Sequence, residues 1–363
     1  MLLVCPFVGF PLSGIFLGNS SFTIHNSPFT IHHSQFTILG EDGLSDYVLQ
    51  VKNLDVHYYT DAGIVFANNQ VTFNLQANER LGLVGESGSG KSTMALALLR
   101  MIKPPGRIAG GELWLNGTEL THLSEEEMRQ LRGREISMIP QGAMNSLNPI
   151  LRVRDQILDA LVDHDLGLSQ NALLERAYEA LDAVELDRRV AAMYPHELSG
   201  GMKQRVCIAI SIAMHPKVII ADEPTSALDV VTQRQVMQTI GRLQERLGSA
   251  VILIGHDMGL MAQFVHRMAV MYAGRLVELG TVQDTFTNPL HPYTELLIDS
   301  LPVLGQRGVF RGIPGITPLL RDLPPGCVFN TRCPKAMGIC KEVAPNWKEY
   351  RRGHWAACHL HEQ

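Results

Sequence analysis

The string Gly85-Glu86-Ser87-Gly88-Ser89-Gly90-Lys91-Ser92-Thr93 constrains this chain more than any other stretch. It follows RLGLV, a short apolar run of strand character, and precedes TMALALLRMI, which reads as a helix. The spacing G-x-x-x-x-G-K-[ST] between a strand and a helix makes a loop whose glycines let backbone N–H groups converge on phosphate oxygens. The helix that follows aims its positive end at the same point. In such a loop Lys91 reaches the β- and γ-phosphates and the Ser92 hydroxyl ligates Mg²⁺. All nine residues, Gly85 to Thr93, are therefore candidates for nucleotide contact.

Two more apolar runs end in groups suited to the same chemistry. VIIADEP (Val218 to Pro224) reads as a buried parallel strand closing on two acids. Asp222 falls at the strand's carboxyl end, where open α/β sheets bind ligands, and is placed to hold Mg²⁺. Glu223, one residue further out, is placed to polarise an attacking water as general base. AVILIG ends at His256, a third strand end with a polar group fit for a γ-phosphate. Between them lies LSGGMKQR, Leu198 to Arg205. Ser199 caps the following helix, and Gly200 and Gly201 leave its N–H groups open, so this is a second anion site. One phosphate loop with a second, separate anion site suggests two chains sharing each nucleotide.

Upstream, VLQVKNLDVHYY and GIVFANNQVTFNLQ read as strands of a half-buried antiparallel sheet. RDQILDALVDH and SQNALLERAYEALDAVEL show helical spacing, with Ser169 as an N-cap. The 363 residues suggest about two domains, and 45% hydrophobic with 18% charged residues excludes global disorder. A net charge of −5 argues against a protein that coats nucleic acid. No apolar run reaches the roughly 18 residues of a membrane span. Residues 1–46 carry an apolar start and the tandem FTIHNSP, FTIHHSQ, FTIL. They read as a low-complexity leader from a start codon placed too far upstream, with a cleaved targeting signal as the alternative.

Four of the six cysteines, Cys327, Cys333, Cys340 and Cys358, fall within 32 positions of the tail. Their spacing lacks the paired C-x₂-C of zinc ribbons and matches no common ferredoxin. By itself it suggests a four-thiolate metal site, with buried, unmetallated thiols as the alternative.

GESGSGKST, LSGGM, ADEPTSALD and the strand-end His256, in that order, resemble the ATP-binding subunits of ABC transporters. Met202 in the signature and SLNP after MIPQGAMN are similar to the oligopeptide/dipeptide importer branch. So are Asn288, His291, Pro292 and Tyr293. The resemblance implies an α/β fold: a RecA-like core, an antiparallel β-subdomain and an inserted α-helical subdomain at about 142–200. It places the nucleotide-binding domain at 47–285 and a small C-terminal cysteine-containing module at 286–363. It makes Gln141 the Q-loop residue that senses Mg²⁺ and γ-phosphate, and Glu223 and His256 catalytic. Leu198, Ser199, Gly200, Gly201 and Met202 become the signature loop acting on partner-bound ATP, and Ser226, Ala227, Leu228 and Asp229 the D-loop. Tyr58 becomes the adenine-stacking aromatic, with Tyr59 as its rival. For the tail it implies a [4Fe–4S] cluster, with Zn²⁺ as the alternative.

The function so implied is ATP hydrolysis energising import of di- or oligopeptides, on the cytoplasmic face of the plasma membrane. The implied partners are a second ATPase subunit, two membrane permeases and an extracellular binding protein, with no nucleic acid. Nickel or oligosaccharide import by the same branch is the near alternative. A soluble, non-transport ABC ATPase is the more distant one.

Overall fold

The computed structural model describes residues 47–142, 145–164, 166–226, 228–301 and 312–362. The leader and Ala227 lie outside them. Strands β1 (Tyr47–Thr60) and β2 (Gly63–Gln76) form a hairpin. β4 (Gly106–Leu115) and the short β5 (Thr118–Glu119) complete an antiparallel sheet in the order β2-β1-β4-β5. A second sheet is centred on β3 (Arg80–Val84), β6 (Ile136–Ile139), β7 (Val218–Asp222), β8 (Ala250–Gly255) and β9 (Arg267–Tyr272). These run parallel in the order β9-β3-β8-β7-β6. β10 (Arg275–Thr281), β12 (His354–Ala356) and β11 (Lys348–Arg351) extend it antiparallel beyond β9.

Strand periodicity explains why the central strands are apolar over most of their length. Val218, Ile220, Ala250, Ile252 and Ile254 face one core, shared with β1, β2, β4 and helix α1 (Lys91–Leu98). Ile219, Ala221, Val251 and Leu253 face the other. A strand covered on both faces has no place for alternation, so it reads as a continuous apolar run. Each Val, Leu or Ile so buried contributes about 1.5–3 kcal/mol.

The first core is closed on its far edge by α2 (Glu125–Leu131), through Met128. The second is closed by α3 (Val153–Val162), α4 (Gln170–Ala183), α5 (Gly200–Ile212), α6 (Val230–Leu247) and α7 (Met258–Met261). Ser169 does cap α4, its hydroxyl accepting the Ala172 N–H at 3.4 Å. α1 stops at Leu98, short of the helix that TMALALLRMI suggests, because Arg100 takes a left-handed turn at φ 51°.

After β10 come α8 (Val282–Thr287) and α9 (Pro292–Asp299). The tail is stapled back to the sheet by Glu278, which is fully buried. Its carboxylate accepts the N–H groups of Leu290 and His291, both at 2.9 Å, and meets His354 Nε2 at 2.7 Å.

Candidate nucleotide site

Because β3, β7 and β8 run parallel, the residues that follow them emerge at one edge of the sheet. After β3 the chain enters the glycine-rich loop. Gly85 has φ +151°, and a Cβ there would sit 2.2 Å from the Met271 carbonyl oxygen. Gly90 has φ +99°, and its Cβ would strike the Ala67 carbonyl at the same distance. Only glycine allows this loop to lie against its neighbours. The Lys91 ammonium is buried and donates to the carbonyls of Gly85 at 2.7 Å and Glu86 at 2.8 Å. Burial lowers its pKa, and the charges of Glu223, Asp222 and Glu86 oppose that shift.

The Ser92 hydroxyl donates to Asp222 Oδ1 at 3.2 Å. Asp222 is 3% exposed. Burial pushes its carboxyl up; the Ser92 bond opposes this and the charge of Glu223 adds to it. A hydroxyl and a buried carboxylate facing each other suit a small hard cation, so the donors fit Mg²⁺. Glu223 holds a left-handed conformation, φ +44°, and its N–H donates to the Ile254 carbonyl at 3.0 Å. For a glutamate this is a strained backbone, of the kind that collects at active sites. Its Oε2 accepts from Gln141 Nε2 at 2.9 Å, and its Oε1 lies 3.3 Å from His256 Nδ1. Three distant segments thus meet on one carboxylate.

Leu198 is buried, while Ser199 and Gly200 are exposed and Gly201 and Met202 half-buried. The Ser199 hydroxyl accepts the Met202 N–H at 3.3 Å. That places it as the cap of α5 at an open helix N-terminus. Ser226 donates its N–H to Glu223 O, and Leu228 to Thr225 O. Asp229 caps α6 through Val231 and Thr232. Tyr58 is half-buried and packs close to Gly106, whose Cβ would fall 2.5 Å from the ring. Tyr59 is more open and carries the Arg107 guanidinium 4.3 Å over its ring.

The tail requires a correction. The four cysteines come within electrostatic reach, since Cys358 feels Cys327, Cys333 and Cys340. Burial pushes the Cys358 thiol up to about 12 and Cys327 to about 11, and raises Cys333. Yet among the described residues no group of three or more His, Cys, Asp or Glu side chains is set to hold a metal ion. The expected four-thiolate site, whether cluster or zinc, is therefore not supported, although the four thiols lie near one another.

Sequence reasoning missed the supports behind the loop. The Glu86 N–H donates to the Tyr293 hydroxyl at 2.9 Å, and the Glu86 carboxylate pairs with Arg332 at 2.6 Å. These partners lie 207 and 246 positions away. The motif gave no local signal for either.

Known families and proteins match most of the chain. The family described as "ABC transporter" matches residues 68–226, and "Oligopeptide/dipeptide transporter, C-terminal region" matches 277–340. The oligopeptide transport ATP-binding protein OppD of Escherichia coli is 44% identical over 317 residues, covering 86% of this chain and 93% of that one. The dipeptide transport ATP-binding protein DppD of Lactococcus lactis is 45% identical over 313 residues, covering 85% and 89%. The chain belongs to the ABC transporter ATP-binding subunits, in their oligopeptide/dipeptide branch. Its cassette fold is shared with solved structures. A dimeric ATP-binding cassette bound to ADP and Pi is 30% identical at a TM-score of 0.58, covering 64% of this chain and 98% of that one. The cbiO1 protein of Clostridium perfringens, part of an ABC transporter complex, is 25% identical at 0.58, covering 67% and 92%. The C-terminal region match covers residues 277–340 of the tail.

Proposed function

We propose that this chain binds and hydrolyses ATP at the edge formed by β3, β7 and β8, and so energises import of di- or oligopeptides. The observation that carries the chemistry is the meeting of Gln141 and His256 on Glu223, one residue beyond the Asp222–Ser92 pair. The peptide cargo is supported by the matched C-terminal region and by relatives named for oligopeptide and dipeptide transport.

The loop N–H groups and Lys91 carry the charge of the β- and γ-phosphates. Ser92, Asp222 and Gln141 would hold Mg²⁺, which when bound neutralises charge on the same oxygens. Glu223 takes the proton of the attacking water. Gln141 and His256 fix the direction of its carboxylate, and His256, largely exposed, is free to bond a phosphate oxygen. Tyr58 stacks on the adenine. The signature residues Leu198, Ser199, Gly200, Gly201 and Met202 act on ATP held by a second subunit. Two apolar side chains just past the D-loop, Val230 at 80% and Val231 at 60% exposure, support such a partner.

No helix among the described residues is long and apolar enough to cross a membrane. The reading therefore assigns passage of the cargo to two permease subunits, fed by an extracellular binding protein, with this chain at the cytoplasmic face. It divides the chain at about residue 285 into the nucleotide-binding domain and the C-terminal module. The test is ATP-driven uptake of labelled peptides into vesicles carrying the assembled transporter.

A further inference from the structure

The second residue of the phosphate loop is a glutamate, next to where a triphosphate must sit. An unneutralised carboxylate in that position repels the ligand. Here it is fully engaged by the C-terminal segment. Arg332, its side chain 3% exposed, grips Glu86 with two parallel bonds, Nη1 to Oε2 at 2.6 Å and Nη2 to Oε1 at 3.0 Å. Thr317 Oγ1 adds a third bond to Oε2 at 2.8 Å. Burial tends to raise the Glu86 carboxyl, but these bonds and the Arg332 charge outweigh it and hold the group ionised below its usual range.

The guanidinium itself is fixed. Nε donates to the Pro314 carbonyl at 2.8 Å, Nη2 to Ile313 at 3.2 Å, and Nη1 to the Tyr272 hydroxyl at 3.3 Å. Gly315, at φ +81°, lets this loop pass the arginine stem, which a Cβ would approach to 3.0 Å. The Glu86 main chain is held as well, its N–H by Tyr293 and its carbonyl by Lys91. Tyr293, Thr317 and Arg332 all come from beyond residue 290, so the C-terminal segment grips the loop.

We propose that Arg332 is a positioning residue for ATP binding. It neutralises Glu86 and turns its carboxylate away from the phosphates, so that the affinity of the loop depends on the C-terminal segment. The inference rests on the reading of residues 85–93 as the ATP site. A bidentate pair with a buried guanidinium and a half-buried carboxylate, once its cation is removed, leaves that carboxylate uncompensated, and the nearest charge then affected is the nucleotide.

The test is equilibrium binding of ATP and ADP to the full chain, with steady-state hydrolysis alongside. Arg332→Ala is expected to weaken ATP about ten-fold, about 1.4 kcal/mol, and ADP by less, because ADP carries less charge. KM should rise while kcat stays within about two-fold, since neither group bonds Glu223. Adding Glu86→Gln to Arg332→Ala removes the orphaned charge and should restore most of the ATP affinity. Arg332→Lys, a point charge without the fork, should fall between. A purely structural anchor would weaken ATP and ADP alike and would not be rescued by Glu86→Gln. Either result, or unchanged ATP affinity in Arg332→Ala, overturns the proposal. If Arg332→Ala does not fold, Arg332→Lys and Arg332→Gln/Glu86→Gln carry the same comparison. Failure of the wild type to bind ATP, with Lys91→Ala as the control, would instead overturn the assignment of the site.

Discussion

Acid should loosen this fold through one buried histidine. His291 caps α9, its Nδ1 accepting the Tyr293 N–H at 3.1 Å, so the ring is neutral at that nitrogen. The side chain is 1% exposed, and its ring lies 5.7 Å from Phe329. Burial, with a smaller contribution from the charge of His361, brings its pKa down from 6.5 to about 3. A histidine lowered on folding takes its proton more readily in the unfolded chain. Its contribution is therefore complete above about pH 6.5 and is lost steadily as pH falls toward 3. Each pH unit in that window is worth about 1.4 kcal/mol, so a drop from pH 8 to pH 5 removes about 2 kcal/mol. The assay is urea unfolding of the full chain at both values, for the wild type and for His291→Asn. Asparagine can still cap the helix but does not titrate. The variant starts less stable because the ring packing is gone, yet between pH 8 and pH 5 it should lose about 2 kcal/mol less than the wild type. Equal losses would show that the proton binds elsewhere and refute the reasoning.

Gly85→Ala should cost about 2 kcal/mol or more of stability, read by thermal unfolding, because the new methyl group meets the Met271 carbonyl at 2.2 Å. It should also remove ATP binding; a variant that binds ATP normally would show that the loop can move away from β9. Alkylation with iodoacetamide at pH 7.5, followed by mass mapping, should label Cys333 before Cys207, Cys327, Cys340 and Cys358. Cys333 is half-buried and the others are buried, and burial holds Cys207 and Cys358 at about 12. First labelling at Cys358 would contradict the packing of β12 on β10.

What could be read from the sequence was whatever is carried by neighbours along the chain. RLGLV, VIIAD and AVILIG are continuous apolar runs because each strand is buried on both faces, and the groups at their ends follow from strand direction alone. Gly85 and Gly90 announce themselves because no other residue tolerates their contacts. Positions related only through the fold were not legible. Nothing near Glu86 points to Arg332 or Tyr293, and nothing near Glu278 points to His354. The cysteines show the opposite failure. Their spacing foretold proximity, and Cys327 does donate its N–H to the Cys340 carbonyl at 2.8 Å. Yet among the described residues no group of three or more ligating side chains is set to hold a metal ion.

The proposal that Glu223 drives peptide import by activating water on ATP calls for hydrolysis and labelled-peptide uptake followed together, in vesicles holding the full chain, its ATPase partner, both permeases and the binding protein. With the wild type the two should rise together on adding ATP and Mg²⁺. With Glu223→Gln both should fall by about 100-fold or more, while ATP binding persists. Uptake that continues in the variant would contradict the account. So would hydrolysis by the wild type that no peptide and no binding protein ever converts into uptake.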